Sequence, residues 1–212
     1  MEFETVLKII DTDPVFETSL FLSGNTNPKI VRLQLSRWVR SGRIFQLRRG
    51  LYTLAPPFQK IKPHPFLVAN RLQKASYVSL QSALAYYGLI PEIVNSTVNV
   101  TTRRPERLET PLGNFEFRHI KPDLFFGYQM IDLGRQQALV AKPEKALLDL
   151  VYLHPGGEST SYLKELRLQN LEYFNLNTFK ELSEVFDSPK MHTAVKNVTC
   201  LVQSEIGEYT PL

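Results

Sequence analysis

Four prolines fall within eleven residues, in Ala55-Pro56-Pro57-Phe58-Gln59-Lys60-Ile61-Lys62-Pro63-His64-Pro65. Proline fixes φ and removes a backbone donor, so the stretch cannot form a regular helix and makes a poor central strand. It reads as an extended linker over about 55–65. The chain is therefore expected to fold as a small unit over 1–60 and a larger one over 61–212. With 212 residues, 43% of them hydrophobic, it has enough apolar material for both cores.

Charge is distributed unevenly. No Asp or Glu occurs between Glu17 and Glu92, a run of 74 residues that carries eleven Lys or Arg. Residues 1–17 hold one Lys against five acids, and residues 92–212 hold thirteen bases against sixteen acids. The acid-free run also contains Trp38, Phe45, Tyr52, Phe58, Phe66, Tyr77, Tyr86 and Tyr87, so it folds rather than trailing as a basic tail. A folded surface of one sign repels itself and is most stable against an anion. The usual anion of that size is a nucleic-acid backbone.

Within 1–60 the apolar spacing of Phe3, Val6, Leu7 and Ile10 predicts a first helix. Asp13-Pro14 is a cap followed by proline at the first helical position, and predicts a second helix to about Leu22. Ser23-Gly24-Asn25-Thr26 is read as a turn. Asn27-Pro28 repeats the cap signal and opens a third helix that ends near Ser41, before Gly42. On a helical wheel Ile30, Val31, Leu35, Trp38 and Val39 share one half, which places Trp38 in the core. Lys29, Arg32, Ser36, Arg37 and Arg40 share the other, with Leu33 among them. A solvated helix face ordinarily mixes both signs, and this one has only positive charge.

Ile44–Leu47 and Leu51–Leu54 read as strands joined by Arg48-Arg49-Gly50. Three helices and a hairpin make the winged helix-turn-helix pattern, with the third helix in the major groove and the hairpin as the wing. Lys29, Arg32, Ser36, Arg37 and Arg40 are then the groove residues. Arg43, Arg48 and Arg49 are the wing residues that meet phosphate or the minor groove. The same elements also build protein-interaction modules, in which the basic face would dock an acidic partner.

The remainder reads as α+β with a helical C-terminal end. Helices are expected over Phe66–Gln73, Leu80–Tyr87, Pro143–Leu153, Ser161–Leu168, Leu176–Phe186 and Pro189 to about Val202. Strands are expected at Tyr77–Ser79, Ser96–Thr102, Asn114–Ile120, Phe125–Ile131 and Gln137–Val140. Arg71 and Lys74 could carry the basic surface past the linker. Residues 103–107, Arg-Arg-Pro-Glu-Arg, read as a solvated loop more readily than as a further phosphate contact.

Little in the chain suggests catalysis, cofactor binding or a metal site. His64, His119, His154 and His192 have no metal-ligand spacing, and there is no phosphate-cradling glycine loop. Cys200 lies in Val198-Thr199-Cys200-Leu201-Val202 and reads as a buried structural thiol. A metal-dependent nuclease would need Asp123, Asp132 and Asp149 to converge, and Asp149, within an apolar helix, is better read as a salt-bridge or capping residue. One cysteine fits a reducing compartment. The opening MEFETVLKIID is not a signal peptide, and no apolar run reaches bilayer length, so a cytoplasmic protein without membrane contact is expected.

Four segments, in order, carry a resemblance. They are Leu35-Ser36-Arg37-Trp38-Val39-Arg40-Ser41-Gly42-Arg43-Ile44; Leu47-Arg48-Arg49-Gly50-Leu51-Tyr52; Ser76-Tyr77-Val78-Ser79-Leu80-Gln81-Ser82-Ala83-Leu84 with Tyr87-Gly88-Leu89; and Ala141-Lys142-Pro143-Glu144-Lys145-Ala146-Leu147-Leu148-Asp149. Over roughly residues 30–155 the chain resembles the AbiEi-type antitoxins of bacterial type IV toxin–antitoxin systems. The resemblance implies a winged-helix repressor of its own operon, bound to double-stranded DNA at inverted repeats in its promoter. It also implies a second domain that counteracts a nucleotidyltransferase-like toxin without a stable complex. Winged-helix regulators with no toxin partner share the layout.

Overall fold

The computed structural model describes residues 2–22, 26–92 and 94–208. The chain is a mixed α+β protein with two sheets. In the first sixty residues, α1 (Phe3–Ile10) buries Phe3, Val6 and Ile10. A two-residue strand, β1 (Phe16–Glu17), follows, then a turn of 3-10 helix over Thr18–Phe21. Next come α2 (Pro28–Arg40), β2 (Ile44–Arg48) and β3 (Leu51–Leu54), and the three strands form an antiparallel sheet in the order β1-β3-β2.

The expected helix over 14–22 does not form. Asp13 does act locally, its Oδ1 accepting from the Val15 amide at 3.3 Å. Pairing across the sheet then wins over the cap. Phe16 faces Tyr52 on β3 with ring centroids 5.9 Å apart, and the Thr18 amide donates to the Gly50 carbonyl at 2.9 Å. Extending the chain buries Phe16 in the core of this part and the preceding Val15 in the core of the rest of the chain. The turn expected at Ser23-Gly24-Asn25-Thr26 lies outside the described residues except for Thr26.

The core of this part joins Phe3, Val6, Ile10, Phe16, Phe21, Val31, Leu35, Trp38, Ile44, Tyr52 and Leu54. Trp38 meets Phe3 edge-on at 5.3 Å, so it is a core residue as its wheel position requires. Val15, Leu47 and Leu51, on the other face of the small sheet, pack into the core of the rest of the chain.

The proline-rich stretch is held against the protein rather than extended free of it. Pro56–Phe58 forms a single 3-10 turn, and Phe58 packs on Phe3 at 5.0 Å. Lys60 pairs with Asp11 at 2.6 Å. Gln136 accepts from the His64 amide and donates to the Lys62 carbonyl, at 2.8 and 2.9 Å. Fixed proline φ angles make such an anchored path inexpensive in chain entropy.

The larger part begins with α3 (Pro65–Leu72), β4 (Ser76–Val78) and α4 (Leu80–Tyr86). Strands β5 (Ser96–Thr101), β6 (Glu106–Thr110), β7 (Gly113–His119), β8 (Tyr128–Asp132) and β9 (Gln137–Ala141) follow. The sheet order is β6-β7-β5-β4-β9-β8, with β4–β9 and β5–β7 parallel and the other pairs antiparallel. Phe115 and Phe117 of β7 are buried while Glu116 and Arg118 are not, as their alternation requires. Residues Glu106 and Arg107, expected in a loop, instead open β6. Four helices complete the chain: α5 (Pro143–Leu153), α6 (Thr160–Glu165), α7 (Leu176–Ser183) and α8 (Pro189–Glu208). Among the described residues no helix is long and apolar enough to cross a membrane.

Candidate nucleic-acid interface

Helix α2 begins where the sequence signals it. The Asn27 side chain accepts from the Lys29 amide at 2.9 Å, and Pro28 occupies the first turn, where its missing N–H costs nothing. The C-terminal turn carries Arg37 and Arg40, which suit the negative end of the helix dipole. Val31, Leu35 and Trp38 are buried and hold the helix in register against the core. That register turns Lys29, Arg32, Ser36, Arg37 and Arg40 outward, and all five are exposed. Among the described residues none of these four bases makes an ion pair with an acid.

Two apolar side chains share this surface. Leu33, in the middle of the basic arc, is 54% exposed. Ile30, expected on the buried arc, is 63% exposed. It sits in the first turn at the margin of the apolar stripe, where no neighbouring element covers it.

The hairpin separates the three predicted wing arginines. Arg49 is exposed at the turn, beside Gly50 with φ +84°, a conformation that favours glycine. Arg43 lies at the opposite end of the hairpin, with its guanidinium 5.1 Å from the centroid of the Phe3 ring. Arg48 is exposed and has partners within the protein. Its guanidinium donates to the Leu72 carbonyl and lies 3.7 Å from Glu106 Oε2. A register shift between Gln46 and Arg48 lies beside these contacts. Arg48 thus fastens the hairpin to the larger part of the chain.

Between α2 and the hairpin runs an open groove of about 640 Å³. Arg32, Ser36 and Arg40 line it from α2, and Gln46, Arg49 and Gly50 from the hairpin. Positive side chains thus face one another across a concave surface without an acid among its lining residues, and their field sums there. A second cleft, about 810 Å³, lies on the far side of the hairpin turn. Arg49 and Gly50 border both. Arg71, Lys74, Arg103 and Arg104 contribute to the second cleft.

The other candidate sites are of a different kind. Asp149 is fully buried, as is Lys145, and the two form an ion pair one helical turn apart on α5. Asp149 Oδ2 also accepts from Tyr77 OH at 2.9 Å and Ser79 Oγ at 2.7 Å. Lys145 Nζ donates to Tyr77 OH at 2.8 Å and lies 5.1 and 5.3 Å from the Phe126 and Phe186 ring centroids. Burial pushes the Lys145 ammonium down from its ordinary pKa and the Asp149 carboxyl up, and each charge counters the other's shift. Burial also raises the Tyr77 hydroxyl, so it stays protonated and can donate. This network satisfies itself inside the core. Asp123 and Asp132 are exposed, so the three aspartates do not share one environment. Among the described residues no group of three His, Cys, Asp or Glu could hold a metal ion. Cys200, expected to be buried, is exposed on α8, because the helical period turns Val198 and Val202 inward and the position between them outward.

No family model matches the chain, and no curated protein matches it.

Proposed function

We propose that residues 1–60 are a winged helix-turn-helix domain and that the protein is a sequence-specific, double-stranded DNA-binding repressor. The observation that carries this reading is the outward face of α2, where Lys29, Arg32, Arg37 and Arg40 lie without an acidic partner among the described residues. The element order supports it. A strand between the first helix and α2 pairs with the hairpin that follows, and this sheet fixes the hairpin beside α2. In the major groove, Arg37 and Arg40 suit bidentate contacts to guanine, and Lys29 and Arg32 suit phosphate. Ile30 and Leu33 suit thymine methyl groups, which gives their exposure a use. Arg49 suits backbone or minor groove from the wing, with Arg43 flanking.

The four segments that resemble AbiEi-type antitoxins extend the proposal. The repressor acts on its own promoter in a bacterial cytoplasm, and the larger α+β part counteracts a nucleotidyltransferase-like toxin without binding it stably. The test is a gel shift on the DNA upstream of the protein's own coding sequence. Wild type gives a discrete complex that survives competitor DNA, and Arg37→Ala/Arg40→Ala loses it. Equal shifts by both proteins would overturn the α2 assignment. Toxicity of an adjacent nucleotidyltransferase-like gene, relieved by coexpression of this protein, tests the antitoxin part.

A further inference from the structure

The second cleft is built from both parts of the chain. The hairpin supplies Arg48, Arg49 and Gly50, the end of α3 and the turn after it supply Arg71 and Lys74, and the β5–β6 loop supplies Arg103 and Arg104, with Glu106 at the start of β6. Its two acids, Glu17 and Glu106, are engaged, by Lys74 at 3.1 Å and Arg48 at 3.7 Å. Arg49, Arg71, Arg103 and Arg104 therefore present net positive charge, and none has an ion pair among the described residues.

The arginine-bearing loop is held in place. Gln73 Nε2 donates to the Arg104 carbonyl at 3.2 Å, and the Arg103 amide donates to Thr101 Oγ1 at 3.1 Å. Thr101 Oγ1 in turn donates to the Ala75 carbonyl at 2.9 Å. The His119 ring meets the Arg103 carbonyl at 2.9 Å. With Arg48 fastening the hairpin to Leu72 and Glu106, the three segments keep their relative positions. Pre-set cations bind an extended anion with less ordering cost than mobile ones.

We infer that this cleft is a second phosphate-binding track, which carries the backbone of duplex DNA beyond the segment read by α2. Arg49, common to both grooves, is the hinge point of the path, and Arg71, Arg103 and Arg104 meet phosphates flanking the recognised sequence. The larger part of the chain thus adds affinity and length of footprint without adding sequence information. This rests on the proposed DNA binding, and the two can fail separately.

The test measures fluorescence anisotropy of the full chain on two duplexes that share the recognised sequence. One has about 12 base pairs, little more than one helical turn, and the other about 30. On the long duplex, Arg103→Ala/Arg104→Ala lowers the slope of log affinity against log salt by about 1.8, two contacts at about 0.9 each. On the short duplex it changes nothing. Arg103→Lys/Arg104→Lys keeps the wild-type slope, since a phosphate contact needs charge and not a guanidinium fork. An unchanged slope on the long duplex, or an equal loss on both, would overturn the second track while leaving α2 binding intact. Stabilisation of the wild type by inorganic phosphate, lost in Arg103→Ala/Arg104→Ala while the long-duplex slope stays unchanged, would assign the cleft to a small anion and overturn the track. Absence of wild-type binding to either duplex would overturn the proposed function itself.

Discussion

Helices α2 and α5 place their charge in opposite ways. In α2, four bases point to solvent and none has an acid partner among the described residues. In α5, Lys145 and Asp149 point into the core, where Tyr77 and Ser79 complete their hydrogen bonds. A solvated cation keeps its hydration, so it adds little to stability and remains free to meet a ligand. A buried cation has given up its hydration and survives only with its partners. The difference separates two roles of a charged helix. The charges of α5 belong to the architecture, and those of α2 stay in solvent, as the proposed DNA binding requires.

The largest expected effect tests the buried side. Asp149→Ala strands the Lys145 charge in the core and costs about 3–5 kcal/mol in urea unfolding. Lys145→Met/Asp149→Leu removes both charges and recovers part of that loss, since the buried Tyr77 and Ser79 hydroxyls lose Asp149 as their acceptor. A cost below about 1 kcal/mol for Asp149→Ala would show that the pair is dispensable and would erase the contrast.

Gly127→Ala sharpens the same point by crowding. A Cβ there would lie 3.0–3.2 Å from Lys145 side-chain carbons, at a φ of +71°. Lys145 is fully buried and cannot swing away. The expected loss is about 1–3 kcal/mol from overpacking and backbone strain, read from the shift in urea midpoint. Two neighbouring positions in α2 make the contrast on the other side. Arg37→Ala/Arg40→Ala changes unfolding stability by no more than about 0.5 kcal/mol, because both side chains are exposed. A loss approaching that of Asp149→Ala would make the basic face structural.

The smallest effect depends on pH. Lys74, hydrogen-bonded to Glu17, holds that carboxyl below its ordinary pKa. The folded value is thus lower than the unfolded one. The pair's stabilisation is present at neutral pH and is lost as pH falls through the folded value. Because the pair is largely exposed, Lys74→Ala costs less than about 0.5 kcal/mol at about pH 7, and that cost fades as pH falls through the folded value, measured by urea unfolding. A cost that did not change with pH would assign Lys74 a role other than this ion pair.

Local chemistry made much of the molecule readable. The Asn27-Pro28 start of α2, the apolar stripe through Val31, Leu35 and Trp38, and the alternation in β7 all rest on contacts a few residues long. The misreadings lie where distant residues decide. The helix expected over 14–22 yields to pairing with Tyr52, which no cap at Asp13 reveals. The partners of Arg48, Leu72 and Glu106, are likewise distant in sequence and left no local sign. The second basic cleft gathers four separated segments, so Arg103-Arg104 by itself gave only a weak signal. Cys200 is a different case, since its exposure follows from helical period and was legible from Val198 and Val202 on the same helix.

The central claim is that α2 reads a DNA major groove, and guanine N7 is a direct reporter of that groove. Dimethyl sulfate protection on the protein's own upstream DNA measures it. Wild type should shield a short cluster of guanines at the centre of its site, and Arg37→Ala/Arg40→Ala should abolish the shielding at a concentration where the protein remains folded. A wild-type complex with no protected guanine, or the same protection in the variant, would contradict the account.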